Sequence, residues 1–188
     1  MGDPKKQRRK YETPRFPWRI DILQSELRLL GQYGLRNKKE LWRHEAMLSK
    51  FRGIARSILG MPEEEAGHLK GQLLSRLNRL GILPDTAILD EVLDLRIQDI
   101  LERRLQSKVF QKGLTKSIYQ ARQFITHGHI AIGHKKVTSP SYLVLRDDEP
   151  QISYALSSTF VNPDHPLRQD LESIPRIKSS DEDSKEKA

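Results

Sequence analysis

Apolar residues recur at helical spacing along the first half of the chain, which predicts a helical region there. Leu23, Leu27 and Leu30 are spaced by four and three residues and fall on one face of a helix. Glycines at positions 31 and 34 then end the segment, because glycine is the residue most often found just beyond a helix C-terminus.

The second predicted helix runs from about Lys38 to Leu59 and is closed by Gly60. Its apolar residues share one arc: Leu41, Leu48, Phe51, Ala55 and Ile58. The cations that align on the opposite side are Lys39, Arg43 and Lys50. We therefore expect this helix to pack by one face and to offer cations on the other.

A third helix is predicted from Pro62 to just before Gly81, with three glutamates in its first turn, where the helix dipole favours anions. Its apolar stripe is Leu69, Leu73, Leu77 and Leu80. A short fourth helix is predicted over residues 88–93.

Residues 97–127 predict two helices. In the first, which is closed by Gly113, an apolar residue recurs every fourth position, at Ile97, Leu101, Leu105 and Val109. The second runs from Ile118 to about His127, because Ser117 and Gln120 have the spacing of a capping box.

After residue 128 the apolar period changes from 3.6 to 2, which predicts short strands. The predicted strands are 129–132, 135–137, 142–145 and 151–154, with a tight turn at Gly133-His134. We therefore predict an α+β fold with four segments. They are a basic extended arm (1–19), a helical domain (20–96, with flanking C-terminal chain), a helix-helix-sheet module (97–158) and an extended, largely disordered tail (159–188).

The charge pattern points to a polyanionic partner. The 188 residues include 33 Lys and Arg against 25 Asp and Glu, a net charge of +8. Residues 103–146 carry nine of these cations and no carboxylate, and residues 1–60 carry 15 cations against six carboxylates. A solvated face normally mixes both signs, so an acid-free block of this length is typical of a phosphate-binding surface.

The composition also excludes several classes of protein. Cysteine is absent, which excludes a disulfide framework, a Cys-ligated zinc site and a thiol nucleophile. No apolar run approaches the ~18 residues of a membrane span, and we expect a cytoplasmic protein without a membrane partner. There is no Gly-rich phosphate loop, nucleophile elbow or metal-binding His-Glu helix motif, so we expect no enzyme, no cofactor and no metal.

Several separated motifs together form a recognisable pattern. One set is Arg104-Leu105, Lys112-Gly113-Leu114, Ser117, Gln120-Ala121-Arg122-Gln123, His127-Gly128-His129-Ile130 and Val137-Thr138-Ser139-Pro140-Ser141-Tyr142. A wider set includes Lys10-Tyr11-Glu12-Thr13-Pro14 and Tyr33-Gly34-Leu35-Arg36-Asn37-Lys38. The first set resembles the S-four RNA-binding domain, and the wider set resembles the archaeal and eukaryotic type of small-subunit ribosomal protein S-four. The resemblance covers roughly residues 1–155.

This resemblance implies a structural role on the ribosome. The family binds small-subunit ribosomal RNA early in assembly, lies next to the S-five protein and influences decoding accuracy. We accordingly expect a monomeric chain that contributes to assembly of the subunit body. A free RNA-binding chaperone or ribosome-rescue factor with the same module is the alternative.

Motif position and charge together nominate the RNA-facing side chains. In the module they are Arg103, Arg104, Lys108, Lys112, Lys116, Ser117, Arg122, Gln123, His127, His129, Lys135 and Lys136. In the arm and the second helix they are Lys5, Lys6, Arg8, Arg9, Lys10, Lys39, Arg43 and Lys50. Because aromatic residues make up only 6% of the chain and form no cluster in the acid-free block, we expect recognition of RNA shape rather than base stacking.

The hairpin turn departs from the family pattern. Relatives usually have Asn-Gly there, which suits a type I′ turn, whereas this chain has Gly133-His134. Glycine in the first central position suits type II′, so a negative φ is expected at His134.

Overall fold

The computed structural model describes residues 9–162 and 165–172. The helices are α1 (Ile20–Gln32), α2 (Lys38–Leu59), α3 (Glu63–Arg79), α4 (Leu89–Asp94), α5 (Ile97–Glu102), α6 (Leu105–Gln111), α7 (Ile118–Thr126) and α8 (Pro166–Glu172). The strands are β1 (Ile130–Ile132), β2 (Lys135–Lys136) and β3 (Ile152–Tyr154). No helix within these two ranges is both long and apolar enough to cross a bilayer.

Helix α2 has the predicted bounds and the predicted buried face. Asn37 caps it, with its side-chain oxygen accepting a hydrogen bond from the Glu40 backbone N–H at 3.1 Å. All five residues of the predicted apolar arc are buried, namely Leu41, Leu48, Phe51, Ala55 and Ile58. The cations of the opposite face, Lys39, Arg43 and Lys50, are exposed. Helix α2 therefore forms the central element of the helical part of the fold.

Two hydrophobic clusters hold this helical part together. The larger one joins α2 to α3, α4 and α5 and includes Phe51, Leu77, Val92 and Ile100. The smaller one contains Tyr33, Leu35, Leu41 and Leu101. Helix α5 thus packs with the helical part, although the sequence groups it with the module.

The predicted apolar face of α1 is only partly correct, because Leu23 and Leu30 are partly buried whereas Leu27 is exposed. Leu27 is 53% exposed, and the buried residue of this helix is Glu26. Its carboxylate accepts a hydrogen bond from Trp42 Nε1 at 2.8 Å and pairs with Lys38 Nζ at 2.8 Å. Since these polar partners lie on α2, α1 is oriented by a buried carboxylate as well as by its partly buried leucines.

The prediction of a single helix between residues 97 and 112 is wrong, because the helix is interrupted at Arg103 and Arg104. Arg104 has extended backbone angles, φ −69° and ψ 142°. The segment predicted as a strand over 142–145 pairs here instead of joining the sheet. The backbone N–H of Leu105 donates to Tyr142 at 2.7 Å, and that of Val144 donates to Arg103 at 2.9 Å.

The module packs α6 and α7 on a small antiparallel sheet of order β2-β1-β3. Ala131 lies opposite Lys136 and Ser153, on the two neighbouring strands. The core between helices and sheet contains Leu105, Val109, Ala121, Phe124, Ile125, Ile130, Val144 and Ile152. The α+β class and the helix-helix-sheet arrangement are confirmed.

The hairpin turn has the predicted backbone signs. Gly133 has φ +57°, whereas every non-glycine residue in the described part of the chain, including His134, has negative φ. A positive φ at the first central position alone is the property of a type II′ turn, so that prediction is confirmed.

The chain after residue 158 is not extended where the structure describes it. A 3₁₀ helix covers Thr159–Val161, and α8 follows. The ring of Phe160 stacks on Phe124 of the module with centroids 4.4 Å apart. The predicted disorder of residues 173–188 concerns a segment outside the described residues.

Candidate nucleic-acid interface

Six exposed polar residues of the predicted set lie along α7 and the β1–β2 hairpin. This α7–hairpin surface consists of Lys116, Ser117, Gln123, His127, Lys135 and Lys136. At the start of α7, Ser117 Oγ accepts a hydrogen bond from the Gln120 N–H at 3.2 Å. The Gln120 side chain accepts one from the Lys116 N–H at 2.7 Å, one residue before the position that a capping box uses. The cap fixes where the helix begins, and burial of Ala121, Phe124 and Ile125 in the core leaves Gln123 on the exposed side.

Close packing brings the hairpin to the other end of α7. Gly128 follows that helix with φ +76°, and a Cβ there would come within 2.9 Å of Lys136 Cδ. The aliphatic stem of Lys136 thus lies against Gly128, beside His127. The positive φ favours glycine at this position, because other residues rarely adopt it, whereas the contact with Lys136 involves only a flexible side chain.

His129 belongs to the same region but is not a ready cation. It is half-buried, and its Nδ1 lies 3.0 Å from Ser158 Oγ. Burial lowers the pKa of His129 below 6.5, and the positive charges of His127 and Lys136 lower it further. At neutral pH this side chain is therefore a neutral hydrogen-bonding group.

Arg103 does not face the solvent, which corrects its assignment to the RNA-facing set. It is 7% exposed, and its guanidinium donates to Glu149 Oε2 at 2.6 Å and to the Val144 carbonyl at 3.0 Å. A Cβ at Gly81, where φ is +68°, would lie 2.8 Å from Arg103 Cζ. Arg103 therefore fastens the chain after the hairpin to the end of α3.

Arg104 needs the same correction, because it is 0% exposed. Its Nη2 pairs with Glu40 Oε2 at 3.2 Å, and Arg122 of α7 binds the same carboxylate. Burial lowers the pKa of Arg104 to about 10, which still leaves it charged at neutral pH. Burial would raise the pKa of Glu40, but the hydrogen bond from Arg122 and the two guanidinium charges hold it below 4.5.

Lys108 and Lys112 are partly buried and bind groups of their own chain. Lys108 Nζ pairs with Glu149 Oε1 at 2.9 Å, and Lys112 Nζ donates to the Pro150 carbonyl at 3.1 Å. Arg122, which is 22% exposed, is likewise engaged by Glu40. These three cations stabilise the module, so they offer less to RNA than their charge predicts.

The basic candidates outside the module divide by position. Lys39, Arg43 and Lys50 are exposed on α2, and Arg9 and Lys10 are exposed before α1. Lys5, Lys6 and Arg8 lie outside the described residues.

The sequence gives no sign of the two carboxylates that pair with four of the nine cations in the acid-free block. Glu40 and Glu149 lie outside residues 103–146, and only folding brings them to Arg103, Arg104, Arg122 and Lys108. Nothing in the residues around either glutamate indicates this pairing. No group of three metal-ligating side chains occurs in residues 9–162 or 165–172.

Comparison with known proteins agrees with this arrangement. The family model described as the S4 domain matches residues 103–150, which contain α6, α7 and the hairpin. A protein of Hyperthermus butylicus named small ribosomal subunit protein uS4 is 51% identical over 160 residues, covering 85% of this chain and 91% of its own length. The chain belongs to the uS4 family of small ribosomal subunit proteins.

Two further members show the same extent of similarity. The uS4 protein of Ignicoccus hospitalis is 51% identical over 160 residues, covering 85% of this chain and 96% of its own length. That of Saccharolobus solfataricus is 51% identical over 161 residues, covering 85% of this chain and 89% of its own length. The uS4 relationship therefore includes most of the helical part as well as the S4 domain.

Proposed function

We propose that this chain is a structural, non-catalytic constituent of the small ribosomal subunit that binds small-subunit ribosomal RNA directly. The observation that carries the proposal is the α7–hairpin surface, which exposes cations and amide or imidazole groups in a block without any Asp or Glu. Membership of the uS4 family supports it, since the relatives are named as small-subunit proteins.

The mechanism is electrostatic attachment through two cationic surfaces. The first is the α7–hairpin surface, and the second is the exposed face of α2 with Lys39, Arg43 and Lys50. Each phosphate that is neutralised releases counterions, so binding weakens steeply as salt rises. Two surfaces on one rigid frame would hold two RNA segments in a fixed relative orientation.

The rigid frame is supplied by the buried ion pairs. Glu40 joins α2 to Arg104 and Arg122, and Glu149 joins Arg103 to Lys108. A binding surface whose parts are already fixed loses less entropy on association. A contribution to early assembly of the subunit body and to decoding accuracy, with an S-five protein as neighbour in the cytoplasm, forms part of this proposal.

Quantitative mass spectrometry across a sucrose gradient of cell lysate tests the proposal. We expect one copy per small subunit, retained through a salt wash. A soluble pool with sparse ribosome association would contradict it and favour the free chaperone or rescue factor.

A further inference from the structure

The largest exposed aromatic side chain of the described residues lies in a turn just before α1. Trp18 is 86% exposed, and Phe16 beside it is 58% exposed. The Arg19 N–H donates to the Phe16 carbonyl at 3.4 Å, which closes a turn over residues 16–19 with Pro17 in its second position. Proline pre-sets the backbone at that position, so the turn presents the Trp18 ring at its apex.

The flanking side chains are basic. Arg15 and Arg19 are exposed on either side of the turn, and Arg9 and Lys10 are exposed a few residues earlier. Glu12 is the one carboxylate among residues 9–20, and Asp21 follows with a long, exposed 3.8 Å contact to Arg19. The neighbours of Trp18 in the sequence therefore carry mainly positive charge.

A contact with α2 fixes where this segment begins. The ring of Tyr11 stacks on Trp42 with centroids 6.1 Å apart, and Arg9 lies over the Tyr11 ring at 4.3 Å. Trp42 is in turn held by its hydrogen bond to the buried Glu26. Residues 9–19 thus leave the α2 surface from a defined point.

We propose that Trp18 is a stacking site for an unpaired nucleobase of RNA, with Arg15 and Arg19 binding the phosphates on either side. An unpaired nucleotide offers a flat apolar face next to negative charge, which complements an exposed indole between two guanidinium groups. An apolar groove on a protein would cover the ring but would offer no anion to Arg15, which lies over the Phe16 ring at 5.5 Å, or to Arg19, which has only the long contact with Asp21. The inference rests on the proposed RNA-binding function and assigns base contact to the N-terminal segment, outside the S4 domain.

The test uses the full chain and small-subunit ribosomal RNA from the same organism. Trp18→Ala is compared with the parent chain for affinity over a range of salt concentrations and for quenching of tryptophan fluorescence on binding. We expect affinity to fall by about 5- to 150-fold, the range for loss of one stacked base, with an unchanged salt slope. Most of the RNA-induced quenching should disappear, and Trp18→Phe should recover part of the affinity.

Leu156→Ala is the matched control, because Leu156 is also apolar and 88% exposed but lies outside the basic segment. It should leave affinity unchanged, and both alanine variants should unfold at the parent's urea midpoint. Equal affinity of Trp18→Ala and the parent would overturn the inference and leave the proposed function intact, whereas absence of RNA binding by the parent would overturn both. Normal binding of Trp18→Ala to free RNA with poor incorporation into subunits would place Trp18 against a protein and overturn the inference.

Discussion

The carboxylate of Glu40 accepts two hydrogen bonds from the guanidinium of Arg122, at 2.5 and 3.1 Å, across 82 residues of sequence. The same carboxylate also pairs with the fully buried Arg104. The Glu40 side chain at the start of α2 therefore binds both Arg104, just before α6, and Arg122, in the middle of α7. The helical part and the S4 domain are joined at this carboxylate.

Removing this carboxylate should destabilise the fold strongly. Glu40→Ala leaves the buried Arg104 without its counter-charge, and loss of one partner from a buried pair costs about 3 kcal/mol. Urea unfolding followed by circular dichroism measures the change. Glu12→Ala, at an exposed carboxylate, is the control and should change stability by less than about 0.5 kcal/mol. Equal stability of the two variants would show that the Glu40 pairs contribute nothing.

Acidification should destabilise the fold, because it protonates two carboxylates that form ion pairs. For Glu40 and Glu149, burial would raise the pKa, but hydrogen bonds and charges from their cationic partners hold both values below 4.5. Their contribution to the free energy of unfolding is therefore fully present above about pH 4.5. It is lost as the pH falls through the lower pKa values that these two carboxylates have in the folded protein. The urea midpoint should drop less steeply below pH 4.5 in the double variant Glu40→Gln and Glu149→Gln. Parallel pH curves for the parent and the double variant would contradict this.

The exposed hairpin lysines should contribute to RNA affinity by charge alone. Replacing Lys135 and Lys136 by alanine should reduce the slope of log affinity against log salt by about 2, because each lysine neutralises one phosphate. Filter binding of small-subunit ribosomal RNA at several salt concentrations measures this slope. Asp90→Asn, at an exposed carboxylate on α4, is the control and should leave it unchanged. An unaltered salt slope in the lysine variant would show that these two hairpin lysines do not bind RNA phosphates.

The type II′ turn should make Gly133 sensitive to substitution. A side chain at its φ of +57° costs about 1–2 kcal/mol, so Gly133→Ala should lower the free energy of unfolding by that amount. Gly53→Ala is the matched control, because it lies inside α2 with no other side chain within 4 Å of its Cβ position. It should stabilise the protein by about 0.5–1 kcal/mol. Replacing Gly133-His134 by Asn-Gly should retain stability through a type I′ turn, and thermal melts of the three variants test the assignment.

Elements with local signals could be predicted from the order of the residues. Apolar spacing and caps define the bounds of α2, Ser117 marks the start of α7, and the glycine at position 133 sets the turn type. The acid-free block also predicts a phosphate-binding surface. These features depend on neighbours within about four residues, which a sequence displays directly.

The availability of the cations to RNA depends instead on the tertiary fold. Arg103, Arg104 and Arg122 belong to the basic block, yet they bind carboxylates that are 46, 64 and 82 residues away in the chain. Backbone pairing is long-range as well: residues 142–144 pair with the chain at 103–105, where the predicted helix is interrupted, and do not join the sheet. A buried charge is stable only beside a counter-charge, and the fold can supply that partner from a distant part of the chain. The residues next to the charge in the sequence therefore do not predict its partner.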